Sequence, residues 1–276
     1  MISSPYDGLP VRRNTRRTGC PLKHPSDRMS VESRDGQDVR RTKNSPEDNM
    51  TTSTFNKTAP PRFRGLHPDL PVRMYFRHLP HWRQEGATYA VTFRQADSIP
   101  QEQLQALKRW RAVWEAEQPE PRSEMEWKQF AQEINNKTER WMDEGYGSCV
   151  LRDSRFSQLM SESLVHFQDQ RHFTSCFVLM PNHVHAVMQP INGHELEDCL
   201  QRIKQYVALR VNRTLGREGA LWEEESYDRI VRDEEHLWNV VQYMGKNPKK
   251  AGLPVDQWVR WIHPDWKAAG WDFIDD

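Results

Sequence analysis

Two histidines separated by one residue, His183 and His185, stand in the apolar run Phe177-Val178-Leu179-Met180-Pro181-Asn182-His183-Val184-His185-Ala186-Val187-Met188. On a strand, alternation puts both imidazoles on one face and Val184 on the other. Their backbones are then roughly 7 Å apart by the strand rise, close enough for two ring nitrogens to meet on one divalent ion. Neutral imidazole is a common ligand for such ions. The same spacing also describes two surface histidines on an antiparallel sheet whose other face is buried. A second pair, Tyr243 and Asn247, lies in Gln242-Tyr243-Met244-Gly245-Lys246-Asn247-Pro248. Positions four apart share a helix face, so a phenolic oxygen and an amide oxygen can point toward one ion. Taken alone, this pair also reads as a half-buried tyrosine on an amphipathic helix, with an asparagine stopping it ahead of Pro248.

The elements that must position these groups follow from periodicity. Thr88 to Phe93 alternates and is β-branched or aromatic, which predicts a strand. Ser98 as N-cap and Pro100 in the first turn open a helix carrying Leu104, Leu107, Trp110, Val113 and Trp114 at helical spacing, ended by Pro119 and Pro121. A second helix is predicted from about Ser123 to Glu144, and a third over Ser154 to Gln168. Arg171 to Met180 reads as a strand, Pro181-Asn182 as a turn and His183 to Gln189 as the returning strand. Glu195 to Leu215 is an amphipathic helix and Tyr227 to Arg232 a short strand. Asp233 caps a helix running to about Lys246. With a helical insertion at about 120–150 set aside, the order is β-α-β-β-α-β. That order predicts an α+β, ferredoxin-like antiparallel sheet, with an added C-terminal helix carrying Tyr243. The arrangement hosts many functions and selects none.

Bulk composition narrows the partners. The 276 residues hold 39 basic and 39 acidic side chains, so no global field points to nucleic acid and any such surface needs local clustering. Lysines and arginines do cluster: Arg202, Lys204, Arg210, Arg213 and Arg217 on and just beyond one predicted helix, and Lys246, Lys249 and Lys250 beside Tyr243. Either group fits phosphate contacts or a solvated helix face. Cys20, Cys149, Cys176 and Cys199 form no CxxC pair, which fits a reducing cytoplasm better than a disulfide framework or structural zinc site. No apolar run is long enough to span a membrane, and no signal peptide is evident. Residues 1–60 lack apolar periodicity and read as a disordered tail, 61–253 as one domain, and 254–276 as a Trp-rich extension of unassigned structure.

Several blocks together carry a resemblance. Leu179-Met180-Pro181-Asn182-His183-Val184-His185 is similar to the His-hydrophobic-His motif of single-tyrosine transposases of the HUH nuclease superfamily. Downstream, Arg217-Glu218-Gly219-Ala220-Leu221-Trp222, Tyr227 to Leu237, and Tyr243 to Leu253 look like successive blocks of REP-associated tyrosine transposases, a match over roughly residues 86 to 253. The resemblance implies a ferredoxin-like fold, His183 and His185 as metal ligands, and Tyr243 as nucleophile. A side chain on the tyrosine helix often completes the metal site in relatives, and Asn247 is the candidate. Lys204 matches a family lysine and is expected near phosphate. The implied cofactor is Mg²⁺ or Mn²⁺, although imidazole donors also suit zinc and other transition metals. The implied substrate is single-stranded DNA beside a hairpin, handled by a monomer or homodimer. The implied reaction is transesterification through a 5′-phosphotyrosine. Two departures are the long N-terminal tail and Met244-Gly245-Lys246, where the family has a more apolar stretch. Three other readings stay open: a hairpin-binding protein without turnover, a metal hydrolase using the histidines with a carboxylate such as Asp228, and an RNA-binding module of similar topology.

Overall fold

The computed structural model describes residues 55–274, so the expected tail lies outside the described residues up to residue 54. The first elements are a short hairpin, β1 (Arg73–Phe76) and β2 (Pro80–Arg83), which forms its own two-stranded sheet. Then follow β3 (Tyr89–Arg94), α1 (Gln101–Glu117), α2 (Glu124–Asp143), α3 (Ser154–Val165), β4 (His172–Leu179) and β5 (His183–Pro190). The chain continues with α4 (Leu196–Leu215), β6 (Tyr227–Ile230), α5 (Glu234–Lys250), β7 (Val259–Ile262) and α6 (Pro264–Ala268). The fold is mixed α and β, with an antiparallel five-stranded sheet in the order β6-β3-β5-β4-β7.

Both faces of this sheet are covered, and alternation decides what each receives. One face sends Val91, Phe93, Phe177, Leu179, Val184, Ala186 and Met188 against Phe156, Met160 and Leu164 of α3 and Leu200, Ile203, Val207 and Val211 of α4. The other sends Ala90, Val178 and Val187 against Leu237, Val240, Val241 and Met244 of α5 and against Trp266 and Trp271. β5 lies between β3 and β4 with all eight residues buried, so its polar side chains need partners inside the protein. A third cluster joins α1 and α2 through Trp110, Trp114, Trp127 and Phe130, and Trp82 of β2 packs on it.

The helix starts follow local chemistry. Ser123 and Glu126 close a reciprocal capping box on α2, and the Asp233 side chain accepts from the His236 N–H at 2.7 Å at the start of α5. Ser98 does not cap α1; Pro100 stands at that position, and the Ser98 hydroxyl donates to the Gln95 carbonyl at 2.7 Å. α4 stops at Gly216, whose φ of 59° is the left-handed conformation of a helix end. α5 does not close at Lys246 but runs through Asn247 and Pro248 to Lys250. Proline removes its own N–H bond and crowds the carbonyl four residues back, yet the chain beyond is tied by Ala251 N–H to Asn247 O and Leu253 N–H to Pro248 O, each 2.9 Å. Asn247 is thereby held inside the helix and buried.

The stretch after residue 253, unassigned from sequence, supplies the edge strand β7 and the small helix α6. Trp266 and Trp271 are fully buried, and their indole N–H groups donate to Pro61 O and Thr58 O, both at 2.9 Å. Phe55 packs against Trp238 and Trp271, so residues 55–61 join the same layer. Phe273 crosses α5 so closely at Gly245 that a Cβ there would lie 2.7 Å from Phe273 Cδ1. Gly245 is therefore the contact surface for the C-terminal segment. Glycine in a helix interior costs about 1 kcal/mol against alanine, and here that cost secures the crossing.

Two stability predictions follow from these contacts. Gly245→Ala is expected to lower stability despite its better helix propensity. In the Phe273→Ala background the same change is expected to raise stability by about 1 kcal/mol, a sign reversal readable by urea denaturation. The second concerns His81, buried in β2 and held by Asp228 Oδ2 at 2.8 Å and Glu225 Oε1 at 2.9 Å. Burial alone would lower its pKa, but the bonds to Asp228 and Glu225 outweigh burial and raise it to about 9. A raised folded-state pKa gives stability that is full below the unfolded value near 6.5 and is lost as pH rises toward about 9. Denaturation midpoints should fall between these limits by the equivalent of roughly 3 kcal/mol at most, at about 1.4 kcal/mol per pH unit. His81→Gln should flatten that dependence.

Candidate functional site

His183 and His185 project from β5 on the α5 side of the sheet, beside Val187, and are 1% and 3% exposed. Register sets their neighbours: Thr92 stands opposite His185 and Arg94 opposite His183. Hydrogen bonding then sets the proton on His183. The Asn182 side-chain N–H₂ donates to Met142 O at 3.2 Å and to Tyr146 O at 3.0 Å, so its oxygen is left to accept. His183 Nδ1–H fills that role at 2.8 Å, which leaves Nε2 as a bare lone pair. His185 Nδ1 lies 2.9 Å from Thr92 Oγ1. Burial pushes the His183 pKa well down and that of His185 to about 4, so both rings are neutral at pH 7.

The two Nε2 atoms converge at 3.1 Å, and the Asn247 amide from α5 reaches His185 Nε2 at 3.0 Å. His185 Nε2 cannot both accept from Asn247 Nδ2–H and donate to His183. With a proton it donates to His183; without one, two lone pairs face each other. A shared cation could take the place of that proton, and the spacing admits one. Ligand atoms about 2.1 Å from an ion are about 3.0 Å apart at a right angle and about 3.4 Å apart at a tetrahedral angle. The observed 3.1 Å is a hydrogen-bond length and also lies close to the separation of neighbouring octahedral positions. A half-turn of the Asn247 amide would bring its oxygen to the place of its nitrogen as a third donor. Among the described residues no group of three His, Cys, Asp or Glu side chains converges as a metal site. The available set is therefore two imidazoles and one amide, all neutral.

Tyr243 stands one turn before Asn247 on the same face of α5, 41% exposed. It shares a cleft of about 240 Å³ with His185, Thr92, Glu139, Tyr227 and Arg229. Its hydroxyl donates to Glu139 on α2, a carboxylate 8% exposed. Burial, and then the bond to Glu139, push the phenol pKa above its ordinary value, so it carries its proton at neutral pH. Nearby, Lys250 Nζ lies 3.1 Å from Asp143 Oδ2 and 5.9 Å from the centre of the Tyr243 ring. Glu139, Asn182 and Thr92 are the members of this site that sequence reasoning did not single out. Asn182 was visible as a turn residue, whereas Glu139 sits in the helical insertion with no local signal.

The basic candidates divide between the two layers. Lys246, Lys249 and Lys250 are exposed on α5, the tyrosine helix. Arg210 and Arg213 are exposed on α4, across the sheet from the histidines. Lys204 is also on α4 and is 91% buried by its 9% exposure, donating to Glu224 O at 2.8 Å. Burial lowers its pKa to about 8. Lys204 thus lies across the β-sheet from the histidines. Asp228 fails as a partner of the histidines for the same reason. It pairs with Val91 on the α4 side and is bound by His81 and Arg83.

No family model matches the chain, and no curated protein matches it. Among solved structures the chain is similar to a REP-associated tyrosine transposase bound to a REP hairpin, with 14% sequence identity over 65% of this chain and 74% of that chain, and a TM-score of 0.37.

Proposed function

We propose that this chain cuts and rejoins single-stranded DNA beside a hairpin, through a covalent bond to Tyr243 and with a divalent cation held by His183, His185 and Asn247. One observation carries the reading: two neutral imidazole nitrogens meet at 3.1 Å, and the amide that joins them comes from the helix bearing an accessible tyrosine. When bound, the cation supplies charge to offset that of the scissile phosphate. Mn²⁺ suits this donor set better than Mg²⁺, which prefers oxygen. With no anionic side chain among the donors, a negatively charged phosphate is the natural completion of the site.

The protein's own part is to hold the nucleophile. The phenolic oxygen of Tyr243 attacks phosphorus, the bond to the 3′ oxygen breaks, and the products are a 5′-phosphotyrosine and a 3′-hydroxyl. The covalent link retains the phosphodiester bond energy, so a 3′-hydroxyl can reverse the step without a nucleotide cofactor. Lys246, Lys249 and Lys250 lie along the same helix and suit the incoming phosphates. The strand order β6-β3-β5-β4 within the sheet supports the ferredoxin-like reading, with β7 added at the edge. No helix among the described residues is long and apolar enough to cross a membrane.

A hairpin with a labelled single-stranded arm should give a detergent-stable protein–DNA adduct in Mn²⁺, lost in Tyr243→Phe. Binding without any adduct would make the chain a hairpin-binding protein, and an adduct surviving in Tyr243→Phe would move the nucleophile elsewhere. The division of basic residues gives a separate expectation. Replacing Lys246, Lys249 or Lys250 by alanine should each reduce the slope of log affinity against log salt by about 0.7 for a single strand. Replacing Arg210 or Arg213, on the far layer, should leave that slope unchanged.

A further inference from the structure

We propose that Glu139 is the catalytic base for Tyr243, an assignment that rests on the reading of Tyr243 as nucleophile. The carboxylate takes the phenolic proton as the oxygen–phosphorus bond forms. Because the phenol is protonated at rest, that proton must leave during the attack, and Glu139 is the group that already accepts it in a hydrogen bond. The proton is then passed to the departing 3′ oxygen, directly or through water, so the products are a phosphotyrosine, a 3′-hydroxyl and an ionised Glu139. In the reverse step the 3′-hydroxyl gives its proton to Glu139, directly or through water, and attacks phosphorus; the phosphorus–phenol bond breaks and Glu139 returns that proton to the phenol. One carboxylate thus serves cutting and rejoining, and no other reactant is required.

Three observations support the assignment. Glu139 is 8% exposed, and a buried carboxylate is costly unless its charge has a purpose or a partner. Among the described residues it makes no ion pair, and its hydrogen bond is to the proposed nucleophile. A neutral glutamine would accept the same bond without the burial penalty, so a merely structural role does not explain a carboxylate here. The other groups around the phenol are less suited. Asp143, also on α2, is engaged by Lys250 of α5 at 3.1 Å. Arg229 of β6 is a cation, Tyr227 of β6 is a phenol whose own pKa burial raises to about 12, and His185 of β5 has both ring nitrogens occupied. α2 reaches this cleft as the last part of the helical insertion, so the insertion would contribute chemistry as well as cover.

The test uses the full chain, its Glu139→Gln and Glu139→Ala variants, and a labelled hairpin in Mn²⁺ under single-turnover conditions. Adduct formation should fall by about 10² to 10⁴ in Glu139→Gln with hairpin affinity retained. Added formate should restore part of the rate to Glu139→Ala, where it can occupy the vacated space, and none to Glu139→Gln. In metal-free protein, the ¹³Cζ resonance of Tyr243, assigned by its loss in Tyr243→Phe, should move in Glu139→Gln. An intact adduct rate in Glu139→Gln, a failure of formate to act on folded, DNA-binding Glu139→Ala, or an unmoved resonance would each overturn the role of Glu139 alone. Absence of an adduct in the intact protein would overturn the Tyr243 reading and this assignment with it.

Discussion

Two ring nitrogens, each able to present a lone pair, face each other at 3.1 Å in the interior of the protein. Like lone pairs at that separation repel unless a proton or a cation lies between them. Which of the two fills the gap is decided by the surrounding hydrogen bonds. Asn182 is tied to the end of α2 through two backbone carbonyls, so its oxygen must accept from His183 Nδ1–H and the bare nitrogen of His183 must face inward. Burial keeps both rings neutral at pH 7, so without a cation the position is filled by the single ring proton of His185, donated to His183. On the proposed reading a cation would take the place of that proton, and the surrounding architecture holds the two nitrogens at that separation.

That architecture is an ordinary sheet with one polar interruption. β5 is buried along its length, and its α5-facing side passes from Val187 to His185 and His183 as it approaches the Asn182 turn. Apolar packing of Val240, Val241 and Met244 fixes α5 over this face, and the helix continues past Pro248 far enough to bring Asn247 to the imidazoles. The C-terminal segment then presses Phe273 against Gly245 in the middle of the same helix. Position along α5 is thus constrained from both sides, by the sheet below and by the chain terminus above. α2 supplies the remaining wall, with Glu139 at the tyrosine hydroxyl and Asp143 at Lys250.

Much of this was legible locally. Alternation announced β3, β4 and β5, and the capping residues Ser123 and Asp233 marked the starts of α2 and α5, because these signals depend only on neighbours in sequence. His183, His185, Tyr243 and Asn247 were legible as candidates from spacing, and their meeting depended on two elements packing, which spacing does not encode. The failures share a cause. The end of α5 was misjudged because tertiary contacts of Asn247 and Pro248 override the usual effect of proline. Lys204, expected near phosphate by resemblance, lies on a helix across the sheet from the histidines, a placement that local sequence does not encode. Glu139 carried no sequence signal, since its importance comes from a partner 104 residues away. The Trp-rich C-terminus was unreadable because Trp266 and Trp271 find their partners at Pro61 and Thr58, at the other end of the described chain.

The most direct measurement is pulsed electron paramagnetic resonance of the full chain titrated with Mn²⁺ at neutral pH, without DNA. The account expects nitrogen couplings from two coordinated imidazoles, reduced to one in either His183→Ala or His185→Ala. Manganese carrying only water and oxygen ligands, with no coupling to either histidine, would contradict it.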